Sequence, residues 1–97
     1  MHAHVNIWQL TPRGGTSEST VAAKVAERLR LAPGFRSYTL VRTGDREVVA
    51  VTVFDSQHQL EAGMGLVSEI VSREITPLAE GSPTVRSGEV LQHVTAP

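Results

Sequence analysis

The stretch Glu47-Val48-Val49-Ala50-Val51-Thr52-Val53-Phe54 is apolar or nearly so on both alternating parities. A strand of that kind has no side to show to water, so it belongs at the centre of a sheet with cover on both faces. Ahead of it, Phe35 to Arg42 alternates between the set Phe35, Ser37, Thr39, Val41 and the set Arg36, Tyr38, Leu40, Arg42, which reads as a second strand. Thr43-Gly44-Asp45-Arg46 joins the two as a tight antiparallel hairpin, because Gly and Asp tolerate the positive φ that such turns favour.

A further strand runs from Ala3 to Leu10, with Val5, Ile7 and Gln9 on one parity and His4, Asn6, Trp8 and Leu10 on the other. Thr11-Pro12-Arg13-Gly14-Gly15 breaks it. A helix then starts near Thr16 or Ser17, whose hydroxyls can accept from free backbone N–H groups, and Val21, Val25 and Leu29 with Ala22 and Ala26 form its apolar stripe. Pro33-Gly34 is expected to end it. After the central strand, Asp55 or Ser56 caps a second helix reaching about Ile75, with Leu60, Met64, Val67 and Val71 at helical spacing and Ile70 widening the stripe. Gly63 and Gly65 each weaken that helix by roughly 1 kcal/mol relative to Ala, which points to a close approach or a kink. Pro77 stops it, and a last strand is expected from about Thr84 to Val94, before a frayed Thr95-Ala96-Pro97.

The order β-α-β-β-α-β, with a central hairpin and two right-handed crossovers, predicts an α+β fold of the ferredoxin-like type. Its four-stranded antiparallel sheet has the order 4-1-3-2 and carries both helices on one face. The other face is then bare in a lone protomer. Apolar residues on both parities would leave more exposed hydrophobic surface than a soluble monomer usually shows, so a two-fold homodimer through that face is expected.

The 97 residues fit one domain, 1–97, which can bury roughly 65% of its unfolded-chain surface. With no cysteine there are neither disulfides nor thiolate metal sites. A net charge of -1 and a single lysine, Lys24, supply no basic field for nucleic acid. No apolar run approaches the ~20 residues of a membrane span, and Met1-His2-Ala3-His4 lacks the zones of a secretory signal, so a cytoplasmic protein is expected.

Pro33-Gly34-Phe35 with Tyr38, the run Arg46 to Ser56 leading into the second helix, and Pro77-Leu78 at its end together resemble the dimeric α+β barrel superfamily. Within it, the chain is similar over nearly its whole length to the small antibiotic biosynthesis monooxygenase-like domains. The resemblance implies a pocket between sheet and helices. It also implies oxidation of a small aromatic or polyketide-like compound by dioxygen, with no metal or flavin cofactor: the substrate anion supplies the electrons while the protein holds, deprotonates and desolvates it. Asn6 stands where oxygenases of this superfamily carry a polar Asn on the first strand, and Trp8 shares its sheet face. Haem-degrading relatives add a Trp and a mid-helix His on the second helix; here that helix has no Trp and its His58 lies in the first turn, so haem degradation is not expected.

Each candidate also has a plain structural role. Asn6 can be a strand amide satisfied by a neighbour, and Trp8 a core aromatic. Tyr38 offers a phenol to a ligand or an amphipathic ring to a sheet margin. His58 can take a phenolic proton as a neutral imidazole, yet a helix start disfavours its charged form. Phe54 and Met64 complete the expected substrate-binding wall. His2, His4 and His93 are the one set with metal-like spacing, but they lie near chain termini without a supporting carboxylate, and no metal is expected. The functions left open are a cofactor-independent monooxygenase, a non-catalytic small-ligand or scaffold module, and a cyclase or isomerase of the same barrel type. A cavity of a few hundred Å³ with convergent polar groups favours catalysis, whereas a filled core favours a scaffold.

Overall fold

The computed structural model describes residues 1–12 and 18–97. The elements are β1 (His2–Gln9), α1 (Glu18–Leu29), β2 (Phe35–Gly44), β3 (Glu47–Phe54), α2 (Gln57–Ile70) and β4 (Thr84–Glu89). A π-helical turn, Val71–Ile75, and a 3₁₀ turn, Thr76–Leu78, run on from α2. The strands form one antiparallel sheet ordered β2-β3-β1-β4, the ferredoxin-like arrangement expected.

β3 lies inside the sheet, between β1 and β2. Its Val48, Ala50, Thr52 and Phe54 are buried on the helix side. On the opposite side Val53 is buried too, but Val49 and Val51 are only half-buried, as are Val5 and Ile7 of β1, and Val41 of β2 is exposed. Within the protomer the strand therefore has full cover on the helix face and partial cover on the other.

Two apolar clusters hold the helices to the sheet. In one, the α1 stripe Val21, Val25 and Leu29 meets Phe54 and the α2 residues Leu60, Val67 and Ile70. In the other, Trp8, Leu10 and Val48 pack beneath Val71 and Ile75 of the π turn. Fully burying side chains of this size is worth about 1.5–3 kcal/mol each, so these contacts fix where the helices sit. Ser56 caps α2 by accepting from the Gln59 backbone N–H at 3.2 Å.

Several boundaries differ from the sequence expectation. α1 stops at Leu29, four residues before Pro33: the Ala32 N–H donates to the Leu29 carbonyl at 2.9 Å and closes the chain into a turn. Gly34 then takes φ +79°, which lets its carbonyl accept from the Asp55 N–H at 2.8 Å. The hairpin bends on Asp45-Arg46, but neither Gly44 nor Asp45 has positive φ; an irregularity in register between Arg42 and Gly44 takes up the twist instead.

The regular part of α2 ends at Ile70 rather than about Ile75, and Pro77 falls within the 3₁₀ turn. In the widened turn the Thr76 backbone N–H donates to the Val71 carbonyl. β4 is shorter than expected, ending at Glu89 instead of Val94. Glu89 pairs with His2, the first residue of β1, and beyond it the Val90 N–H donates to the Met1 carbonyl at 3.0 Å. The expected glycine turn at Gly14-Gly15 and the cap at Thr16 or Ser17 lie outside the described residues.

Candidate functional site

The two apolar clusters do not close on each other completely. Between them, under α2 and the π turn, a cleft of ≈ 680 Å³ counting its open mouth is floored by Asn6, Trp8, Leu40, Ala50 and Thr52 and roofed by Met64, Val67, Val71 and Ile75. Tyr38 stands at its side. Strand register brings the floor together, aligning Asn6 with Ala50 and Leu40, and His4 with Thr52 and Tyr38. Cross-strand neighbours of this kind share one face with Cβ atoms roughly 5 Å apart.

Only ≈ 70 Å³ of that space is free to the centre of a water-sized molecule. An apolar core cavity of about 150 Å³ holds a benzene ring. The deep part of the cleft therefore accepts the edge of a ring or a group of a few atoms, and a whole ring extends into the mouth or displaces the flexible Met64. The space is smaller than the few hundred Å³ by which catalysis was to be recognised, and the core is not filled either.

The polar content of this apolar site is small and specific. The Asn6 Oδ1 atom is buried and has no hydrogen-bond partner. Leaving such an acceptor unpaired costs about 1–3 kcal/mol, so a ligand that donates a hydrogen bond there recovers free energy that no protein group supplies. Thr52 is buried at 3% exposure and adds a hydroxyl beside it. Burial raises the Tyr38 phenol above its ordinary value near 10, because the phenolate would lose its water. It is therefore a neutral donor at the side of the cleft at physiological pH.

Of the residues picked out in the sequence, Asn6, Trp8, Tyr38 and Met64 line one cleft. Phe54 and His58 do not. Phe54 is fully buried under Gly63, with its ring 5.6 Å from Phe35 in an edge-on contact at 72°. His58 is exposed in the first turn of α2. Among the described residues no group of three or more His, Cys, Asp or Glu side chains is placed to hold a metal, so His2, His4 and His93 form no such set. Sequence reasoning missed Thr52, Leu40 and the π-turn residues Val71 and Ile75 as parts of the cleft. For Thr52 there was a signal: it is the sole hydroxyl residue in the apolar run of β3.

The chain matches no protein-family model and no curated protein. Among solved structures it is similar to a protein of unknown function from Nitrosomonas europaea, with TM-score 0.84 and 11% identity over 99% of this chain and 94% of that one. It is also similar to an antibiotic biosynthesis monooxygenase, with TM-score 0.79 and 14% identity over 95% of this chain and 100% of that one. A third likeness is to a mutant of SnoaB, a cofactor-independent oxygenase from Streptomyces nogalater, with TM-score 0.78 and 20% identity over 98% of this chain and 97% of that one. The chain thus has the ferredoxin-like fold of the small antibiotic biosynthesis monooxygenase-like proteins. At these identities the likeness is one of fold, and function has to be argued from the cleft.

Proposed function

We propose that this protein is a cofactor-independent monooxygenase acting on a small hydroxylated aromatic compound in the cleft between sheet and helices. The observation that carries the reading is the buried, unpartnered Asn6 Oδ1 in an otherwise apolar cleft, since a phenolic hydroxyl is the kind of group that would satisfy it. Trp8 offers a flat wall for the ring and excludes water, Met64 yields to admit it, and Tyr38 donates to an oxygen atom at its side. In the reaction the ionised substrate reduces dioxygen: a ring C–H of the hydroquinone becomes C–OH as the ring is oxidised to a quinone, one oxygen atom staying on the ring and the other leaving as water. The chain's own part is to bind, orient and desolvate the anion. The fold neighbour SnoaB is described as a cofactor-independent oxygenase, which adds support by analogy. His58 and Phe54 have no part in this reading.

The protomer is further proposed to work as a single-domain homodimer joined through its open sheet face, where Val5, Ile7, Val49 and Val51 are only half-buried and Val41 is exposed.

A second reading, a binding or scaffold module without turnover, is favoured by the small free volume of ≈ 70 Å³. Oxygen uptake measured with a panel of single-ring and fused-ring hydroquinones separates the two. Uptake that depends on Asn6 supports the monooxygenase. Binding of a hydroquinone without uptake supports the module, and conversion without oxygen supports a cyclase or isomerase.

A further inference from the structure

The sheet's helix-facing side carries a polar row of which the proposed chemistry uses only Tyr38. Antiparallel register places Ser87 of β4, His4 of β1, Thr52 of β3 and Tyr38 of β2 side by side across all four strands. The neighbouring row, Asn6, Ala50 and Leu40, is the floor of the cleft. Thr52 and Tyr38 line the cleft themselves, whereas His4 sits behind them, half-buried, one pleat from Asn6. Ser87, at the end of the row, is exposed on the edge strand. The row thus begins at the buried site and ends in water.

We propose that His4 is the proton acceptor for the ligand bound in the cleft, receiving the proton through the Thr52 hydroxyl and releasing it to solvent at the Ser87 edge. The inference rests on the proposed function of the cleft and adds to it the base which that chemistry requires. The proton balance is simple. In a dihydroxy ligand whose first hydroxyl satisfies Asn6 Oδ1, the second phenolic O–H donates to Thr52 Oγ1 as the Thr52 hydroxyl proton passes to the unprotonated imidazole nitrogen of His4, leaving a phenolate beside an imidazolium. The imidazolium then loses its proton to water at the β4 edge.

Two features suit His4 to this task. Burial disfavours its charged form and pulls its pKa below the ordinary histidine value, so at neutral pH it is present as the unprotonated acceptor. It also lies on the same pleated face as Asn6, two residues along β1, so the group that would hold one ligand hydroxyl and the group that would take the proton of the other are fixed by one rigid strand. The titratable groups near it on this face are His2 and its cross-strand partner Glu89, one pleat away, and Tyr38 at the other end of the row. On α2 the titratable groups His58, Glu61 and Glu69 are all exposed, and on the π turn Arg73 is exposed while the half-buried Glu74 pairs with Lys24 and does not line the cleft. None of these offers a better placed acceptor to the cleft.

The test uses para-nitrophenol, whose ionised form is coloured, with para-nitroanisole, which has no proton to lose, as its partner probe. The wild-type chain is expected to bind both and to shift the ionisation midpoint of bound para-nitrophenol downward by about one pH unit, the size of effect an adjacent opposite charge produces. His4→Gln, at a residue outside the cleft lining, is expected to abolish that shift while binding para-nitroanisole as the wild type does, and Thr52→Val, which alters the cleft floor, is expected to abolish the shift as well. Retained anisole binding reports that the His4 variant is folded, and far-ultraviolet circular dichroism reports the same for Thr52→Val. If the wild type binds para-nitrophenol without shifting its ionisation, or both variants keep the shift, the role of His4 is overturned and the cleft's proposed function stands. If neither probe binds the wild type, both the proposed function and this inference fail.

Discussion

A Cβ atom on Gly63 would lie 2.2 Å from the Cζ of Phe54. No flexible side-chain end is involved, because Phe54 is fully buried and held edge-on against Phe35. The helix has a glycine here because the central strand's last aromatic ring occupies the space a side chain would need. Gly65, two residues on, meets nothing within 4 Å. Gly63→Ala is therefore expected to destabilise the fold by about 1–3 kcal/mol through overpacking. Gly65→Ala gains helix propensity and is expected to stabilise by about 0.5–1 kcal/mol. Urea unfolding midpoints of the two variants should move in opposite directions, and a shared direction would refute this account.

Asn6 presents the usual conflict between a site and a core. Replacing it by Leu removes a buried unpaired acceptor, so the unliganded fold is expected to be as stable as wild type or up to about 1 kcal/mol more stable. Phenol binding, and any oxygen uptake, should fall at least about tenfold, equivalent to 1.4 kcal/mol. Thermal unfolding and equilibrium binding measured on the same sample check both halves.

Tyr38 gives a signature at high pH. Its folded pKa is raised, so the unfolded chain loses the phenolic proton first. The stabilisation is complete below the unfolded value near 10 and is lost as pH climbs from there through the folded value. Tyr38→Phe is expected to flatten that alkaline limb of the stability curve while leaving the slope near neutrality unchanged. Unfolding followed between pH 8 and 11, roughly the range spanning the phenol's titration, is the measurement.

Val51 sits on the open sheet face, paired with Val5 on one side and Thr39 on the other. Val51→Asp puts a charge in the middle of the proposed dimer contact. Sedimentation should report a dimer for the wild type and a monomer for the variant, with the far-ultraviolet circular dichroism of both alike. A wild-type chain that is monomeric at micromolar concentration removes the dimer from the proposal.

The parts of the fold legible in the sequence were those set by side-chain period. The run from Val48 to Phe54 required an interior strand, and β3 is one. Ser56 was readable as a cap because a helix start leaves backbone donors free. Other features depend on geometry that no period encodes. A π turn at Val71–Ile75 is spelled with the same apolar spacing as an ordinary helix. The backbone of Gly44 and Asp45 stays at negative φ because strand twist is absorbed in the register shift beside them. In the cleft, Asn6 and Trp8 could be placed together by parity alone, but the free volume depends on how Met64 and Val71 pack overhead. His58 looked eligible by residue type and proved to be exposed; His4 was eligible by the same standard, and only cross-strand register puts it beside Thr52.

The widened turn at Val71–Ile75 has a consequence for how such a cleft can diverge. A turn of this kind holds one residue more than a regular helical turn, and here its Val71 and Ile75 form part of the roof. Losing a single codon in this segment would restore the ordinary helical winding, keep the residues up to Leu78 close to their present phase and take one side chain out of the wide turn over Asn6. The binding space of this architecture can thus be re-cut by one short deletion, while the sheet and the β3 strand beneath it stay untouched.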